Sequence, residues 1–143
     1  MEEIVMENAC ELVTQFLDKW DKPGGWRQAI IDHFAKDAVY ENVGMSRSEG
    51  LDAVLEFVDY FERVTAGGWM IAETSAIAAS GSTVLTERID HMVDGSGNIF
   101  MTTPVMGAFE IRGDKIAIWR DYFDTGGLDS PYDGPGSLMD SKR

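Results

Sequence analysis

Basic residues are scarce in this chain and cysteine is almost absent. Lys and Arg number 12 against 25 Asp and Glu, a formal net charge of −13, so the surface repels phosphate backbones and anionic lipid faces. No nucleic acid is expected as a partner. The single cysteine, Cys10, cannot form an internal disulfide; it falls among apolar residues at helical spacing and reads as a small buried hydrophobe, as suits a reducing cytoplasm. The two histidines, His33 and His91, share no metal spacing with Cys10 or with an acid cluster, and HExxH and CxxC are missing, so no metal is expected and both read as ordinary polar positions. GxSxG, GxGxxG and the P-loop are missing too, which removes the nucleophile elbow and the nucleotide cradles. No apolar run approaches the ~20 residues that cross a bilayer, and the start MEEIVMENAC lacks the basic-then-apolar order of a leader. A soluble cytoplasmic protein without membrane contact is the expectation.

What is present suits one domain with one core: 143 residues, 44% of them hydrophobic, and no internal repeat. Val5, Leu12, Val13, Phe16, Leu17 and Trp20 recur at three and four, which predicts a helix from Ile4 to Trp20 that stops at Asp21-Lys22-Pro23-Gly24-Gly25. A second helix is predicted from Gln28 to Phe34, with Ile30, Ile31 and Phe34 on one side, and a third from Leu51 to Val64, ended by Gly67-Gly68. Ala38 to Val43 reads as a short strand. After Gly68 the period changes to two. Four strands are predicted, Trp69 to Ala79, Thr83 to Val93, Ile99 to Ile111 and Ile116 to Phe123, and the turns between them are too short for crossover helices. The fold class is therefore α+β: a curved, mostly antiparallel sheet with about three N-terminal helices against its concave face. By analogy with small enzymes of this element order, it forms a cone with an internal pocket. The domain is placed at 1–124. The remainder, 125–143, is rich in Gly, Pro, Ser and Asp and reads as a loose tail or a segment ordered only against a partner subunit; Asp124, Asp129 and Asp133 do not follow calcium-loop spacing.

The chemistry concentrates on two strands. Alternation puts Val84, Thr86, Arg88, Asp90 and Met92 on one face, with Leu85, Ile89 and Val93 on the other. In the last strand Ala117, Trp119, Asp121 and Phe123 go together, so Asp121 stands on an otherwise apolar face. A carboxylate there costs several kcal/mol unless it is paired, and Arg88 is the available cation. Tyr40 and Asn42 share a face of the first strand. The same pattern fits a structural ion triad, or one of the two acids left in solvent.

The segments VLTERID (84–90), WRDYFD (119–124) and YENV (40–43), in this order, resemble three blocks of the limonene-1,2-epoxide hydrolase family. The resemblance runs roughly from Ile4 to Asp124 and includes Gly107-Ala108-Phe109 and Gly113-Asp114-Lys115-Ile116. It implies a cone of the nuclear transport factor type, a symmetric homodimer formed through the sheet, no cofactor, and a small apolar epoxide as substrate. It also implies a catalytic triad of Arg88, Asp90 and Asp121, with Tyr40 and Asn42 holding the water.

Opening an epoxide near neutral pH asks for a proton on the departing oxygen while a deprotonated water attacks carbon. Asp121 is assigned as base, Asp90 as acid, and Arg88 as the cation that bridges them without titrating. Met92 and Phe123 share faces with these residues and suit an apolar pocket wall; plain core is the other reading. Two rival functions remain. One is proton transfer of the ketosteroid isomerase or polyketide cyclase kind, against which Arg88 argues. The other is a non-catalytic ligand-binding or dimerisation module of the same fold.

Overall fold

The computed structural model describes residues 2–126, with side chains from residue 8 onward. The predicted tail at 125–143 lies almost wholly outside the described residues, as does the side chain of Val5. In chain order the elements are α1 (Glu2–Asp18), α2 (Gly25–His33), β1 (Phe34–Asn42), β2 (Ser46–Glu49), α3 (Leu51–Val64), β3 (Trp69–Ser80), β4 (Thr83–Val93), β5 (Ile99–Arg112) and β6 (Lys115–Tyr122). The strands form one open sheet in the order β2-β1-β6-β5-β4-β3. Every pairing is antiparallel except β1 with β6, which run parallel; the stretch between them in sequence, β2, α3 and β3 to β5, is long enough for the crossover that parallel strands need. No helix among the described residues is long and apolar enough to cross a membrane.

The core sits between the helices and the concave face. Val13, Phe16 and Leu17 descend from α1, Trp20 from the turn just after it, Val54, Val58 and Phe61 from α3, and they meet Phe34, Tyr40, Phe109 and Trp119 of the sheet. Aromatic rings carry much of this packing: Trp119 stacks on Tyr40 with centroids 4.0 Å apart and on Phe109 at 5.8 Å, with Phe16 edge-on to it. Cys10 is only partly buried at the edge of this cluster.

Several expectations need correction. The second helix begins at Gly25, three residues early, because Gly25 fits a gap no side chain could enter: a Cβ there would lie 2.3 Å from the Lys19 carbonyl oxygen. Trp26, which precedes the predicted helix, is thereby helical and part of the core. Phe34 is not the end of that helix but the first residue of β1, which begins four residues before the expected Ala38; a register shift between Phe34 and Val39 leaves Lys36 and Asp37 exposed and breaks the alternation. Ile31, assigned to the buried side of α2, is 45% exposed. Strand β2 was not anticipated, since SRSE has no apolar alternation; Ser46 and Ser48 are its buried residues. Two irregularities interrupt the strand pairing. One between Met92 and Val93 leaves Phe100 of β5 as the extra residue, and Val93, assigned to the outer face with the exposed Leu85 and Ile89, is nonetheless buried; one between Glu110 and Ile111 accompanies burial of Ile116 in place of Ala117. His33, read as an ordinary polar position, is buried, and its Nε2 has no hydrogen-bond partner.

Candidate active site

The floor of the interior is built by rows of side chains running across the sheet. Register aligns Thr86 with Gly107 and Gly107 with Asp121, while β1 brings Asn42 beside Asp121 and Tyr40 beside Trp119. Alternation along β4 turns Thr86, Arg88 and Asp90 to the same side as these, all three buried. The five residues singled out from the sequence, Arg88, Asp90, Asp121, Tyr40 and Asn42, are thus brought to one face.

Arg88 is the centre of the group, with a side chain that is 0% exposed. Its Nε donates to Asp90 Oδ1 at 3.0 Å and its Nη2 to Asp90 Oδ2 at 2.8 Å, a two-pronged contact. Nη2 also donates to Asp121 Oδ2 at 2.9 Å, and Nη1 donates to the Thr86 hydroxyl at 2.9 Å. Trp20 and Phe109 offer ring faces to the guanidinium, with centroids 5.7 and 5.9 Å from Cζ. The other oxygen of Asp121, Oδ1, accepts the indole N–H of Trp119 at 2.7 Å. Tyr40 donates to Asn42 Oδ1 at 3.1 Å, and Asn42 Nδ2 donates to Ser46 Oγ at 3.3 Å. Gly107 makes the crowding possible, since a Cβ at that position would stand 2.2 Å from Arg88 Nη1 and 2.8 Å from Asp121 Oδ1.

Burial and charge act against each other here. Burial pushes the Asp121 carboxyl up to about 6, although Arg88 and the Trp119 N–H both favour its charged form. Burial alone would lower Arg88; the two carboxylates outweigh it and hold the guanidinium above its usual range. Burial, reinforced by the nearby charge of Asp121, raises the Tyr40 phenol, which stays a neutral donor. At neutral pH the group therefore contains a carboxylate poised near its titration point, a permanent cation, a hydroxyl and an amide.

Asp90, Asp121, Tyr40 and Asn42 open onto a cavity of about 580 Å³, which Met92 and Phe123 also line. Sequence reasoning left out the partners that fix these groups. Thr86 and Trp119 carried a usable signal, each standing two residues before an acid or the arginine on the same strand face. Ser46 lay in a polar run with none.

An α+β cone of three helices and a six-stranded open sheet, with its polar residues on the inner floor, is the NTF2-like class of fold, and a 23% identical NTF2-like protein from Anabaena variabilis superposes with a TM-score of 0.60, covering 88% of this chain and 91% of that one. A family model for the limonene-1,2-epoxide hydrolase catalytic domain matches residues 7–130, and the chain belongs to that family. Epoxide hydrolase EphG of Mycobacterium tuberculosis is 36% identical over 88 residues, which is 62% of this chain and 56% of that protein. A solved structure of an M. tuberculosis LEH-like epoxide hydrolase aligns with 30% identity and a TM-score of 0.70 over 84% of this chain and 85% of that one. The fold alone is shared with a protein named as a SnoaL-like polyketide cyclase from Jannaschia sp. CCS1, 16% identical, with a TM-score of 0.65 over 84% and 88% of the two chains.

Proposed function

We propose that this protein adds water directly to an epoxide to give a vicinal diol, with Asp121 as general base and Asp90 as general acid. The observation that supports this most is a fully buried arginine shared by two acids at the floor of an apolar cavity, with the Asn42 amide in register beside Asp121 and the Tyr40 phenol two residues from Asn42 on the same strand. That placement assigns the roles. When a water is seated between Asp121, Asn42 and Tyr40, the Tyr40 hydroxyl turns its proton from Asn42 Oδ1 to the water, which gives one hydrogen to the Asp121 carboxylate and one to the Asn42 carbonyl oxygen so freed. One lone pair is left to point at carbon.

The oxygen of that water bonds to the epoxide carbon as the ring C–O bond breaks. The water's proton goes to Asp121, and the departing oxygen takes a proton from Asp90, so no alkoxide is released. Proton delivery requires Asp90 to give up part of its two-pronged contact with Arg88. The guanidinium keeps its bond to Asp121 meanwhile, and the two carboxyls exchange the proton as a coupled pair when the site resets. An arginine held by both acids suits this exchange of charge better than it suits stabilising a dienolate, which sets the reading apart from the cyclase and isomerase chemistry found on related folds.

Direct addition has a clean test. In oxygen-18 water, with enzyme in excess over epoxide, the first turnover should yield diol carrying the heavy oxygen. Unlabelled diol would mean that an aspartate ester formed first and that the direct route is wrong. No diol from any epoxide offered would remove the hydrolase reading itself.

A further inference from the structure

Behind the acids there is no room. Thr86, Arg88, Phe109 and Trp119 fill that space, each at most 1% exposed, so a molecule reacting at Asp90 and Asp121 can extend in one direction only. In that direction the sheet presents a second row. Ala72, Asp90 and Thr103 are aligned across β3, β4 and β5; two residues along each strand, Met70, Met92 and Met101 are aligned in the same way and all three face the cavity. Beyond this methionine band the cavity reaches the β4–β5 turn at Asp94-Gly95-Ser96 and the exposed side chains of Val64 and Phe100, which mark its mouth. From Asp90 to Asp94 is about 13 Å of strand.

We propose that the site takes an epoxide carried at or near one end of a neutral, elongated lipophilic skeleton, and that the band of Met70, Met92 and Met101 is what admits the skeleton. This rests on the hydrolase reading above. Three features of the cavity wall favour it. Its volume of about 580 Å³ lies well inside the range of roughly 300 to 1,000 Å³ typical of sites for drug-sized ligands, which a compact monocyclic epoxide leaves mostly unfilled. Methionine side chains are unbranched and bend aside, so a band of three forms a wall that reshapes around what passes it. The wall also lacks a cation: among its described residues there is no Lys, Arg or His, while Asp90, Asp94 and Asp121 all face in, and Arg88 is already committed to the acid pair. A carboxylate-ended chain would meet only like charge and desolvation there.

The test measures kcat/KM of the full chain for epoxyhexane, epoxydecane and epoxytetradecane, for epoxydecanoate with its ring at the end remote from the carboxylate, and for cyclohexene oxide as compact reference. The values should climb with length, by up to about fourfold per methylene, and level off once the chain reaches the mouth. Epoxydecanoate should fall at least about tenfold below epoxydecane. Met101→Phe replaces a chain that folds aside by a ring that cannot, and should cut the ratio of epoxytetradecane to cyclohexene oxide turnover by about tenfold or more. A flat length series with cyclohexene oxide still hydrolysed would overturn this inference and leave the hydrolase reading standing, as would equal turnover of acid and neutral chains, or an unchanged ratio in folded Met101→Phe. If that variant does not fold, the wild-type series decides. If no epoxide is converted, calorimetry decides instead: decanediol should bind more tightly than hexanediol, and equal affinities would refute the elongated site.

Discussion

The floor of the cavity and its wall are made on opposite principles, although they meet on β4, where Asp90 of the one and Met92 of the other stand two residues apart. On the floor, identity and angle are fixed at every position: the Arg88 fork is divided between Asp90, Asp121 and Thr86, the second oxygen of Asp121 is held by Trp119, and Gly107 leaves no space for another atom. The wall is apolar and soft, with methionines whose shape is not specified by any hydrogen bond. A buried polar network is costly when one member is lost, because the remaining groups stay desolvated, whereas an apolar wall loses only contact area. Chemistry therefore depends on the floor and selection of substrate on the wall.

That contrast is broken most easily by exchanging one residue on each side. Asp121→Asn keeps the volume and removes the base, and diol formation should fall by about 10²- to 10⁴-fold with circular dichroism unchanged. Met92→Leu, a swap of similar volume in the wall, should cost less than about 1.5 kcal/mol of stability in denaturant titrations and leave most turnover of a compact epoxide in place. Comparable activity losses in the two variants would erase the distinction.

The sequence makes the floor more legible than the space around it. Arg88, Asp90 and Asp121 stand out because charged residues on an apolar strand face need an explanation, and Tyr40 and Asn42 follow from the same two-residue step. The third helix and the fourth strand have the same bounds in sequence and structure, since their periodicity is uninterrupted from one glycine signal to the next. Where the reading failed, backbone irregularity or close packing was responsible. The shift before Val39 concealed the start of β1. The contact of Gly25 with the Lys19 carbonyl moved the start of a helix into what looked like a turn. The methionine band was invisible for another reason: Met70, Met92 and Met101 lie on separate strands and align only through the register of the sheet.

A smaller effect should come from Gly107→Ala. One added methyl would press on Arg88 Nη1, Thr86 Oγ1 and Asp121 Oδ1 together, at 2.2, 2.8 and 2.8 Å from the unrelaxed position. Overpacking of this kind costs typically about 1–3 kcal/mol, and here the strain relaxes by moving the guanidinium off one of its acids. The expected result is a lowered melting temperature together with at least about a tenfold drop in kcat at unchanged KM for a compact epoxide, since the base and acid lose their alignment while the wall is untouched. A variant that melts earlier but turns over normally would show that the floor tolerates displacement as the wall does.

The smallest change removes a single hydrogen bond from the floor. Trp119→Phe retains a ring to stack on Tyr40 and Phe109 but takes away the N–H that holds Asp121 Oδ1 at 2.7 Å. That N–H favours the ionised carboxylate, so its loss must raise the Asp121 pKa above the value of about 6 that burial has already imposed. The base works only when ionised. Activity in the parent protein should therefore fall as pH drops through about 6, and in Trp119→Phe the fall should begin at higher pH. A hydrogen bond worth about 1 kcal/mol corresponds to roughly a fivefold deficit well below pH 6 and about a threefold one near pH 6, shrinking further as pH rises and Asp121 ionises in both proteins. The measurement is kcat/KM against pH for the two proteins on one compact epoxide, with near-ultraviolet circular dichroism to verify packing. A purely structural role for Trp119 predicts a loss of equal size at every pH, and an acid limb that stays in place would show that Asp121 is not the group whose ionisation limits the rate.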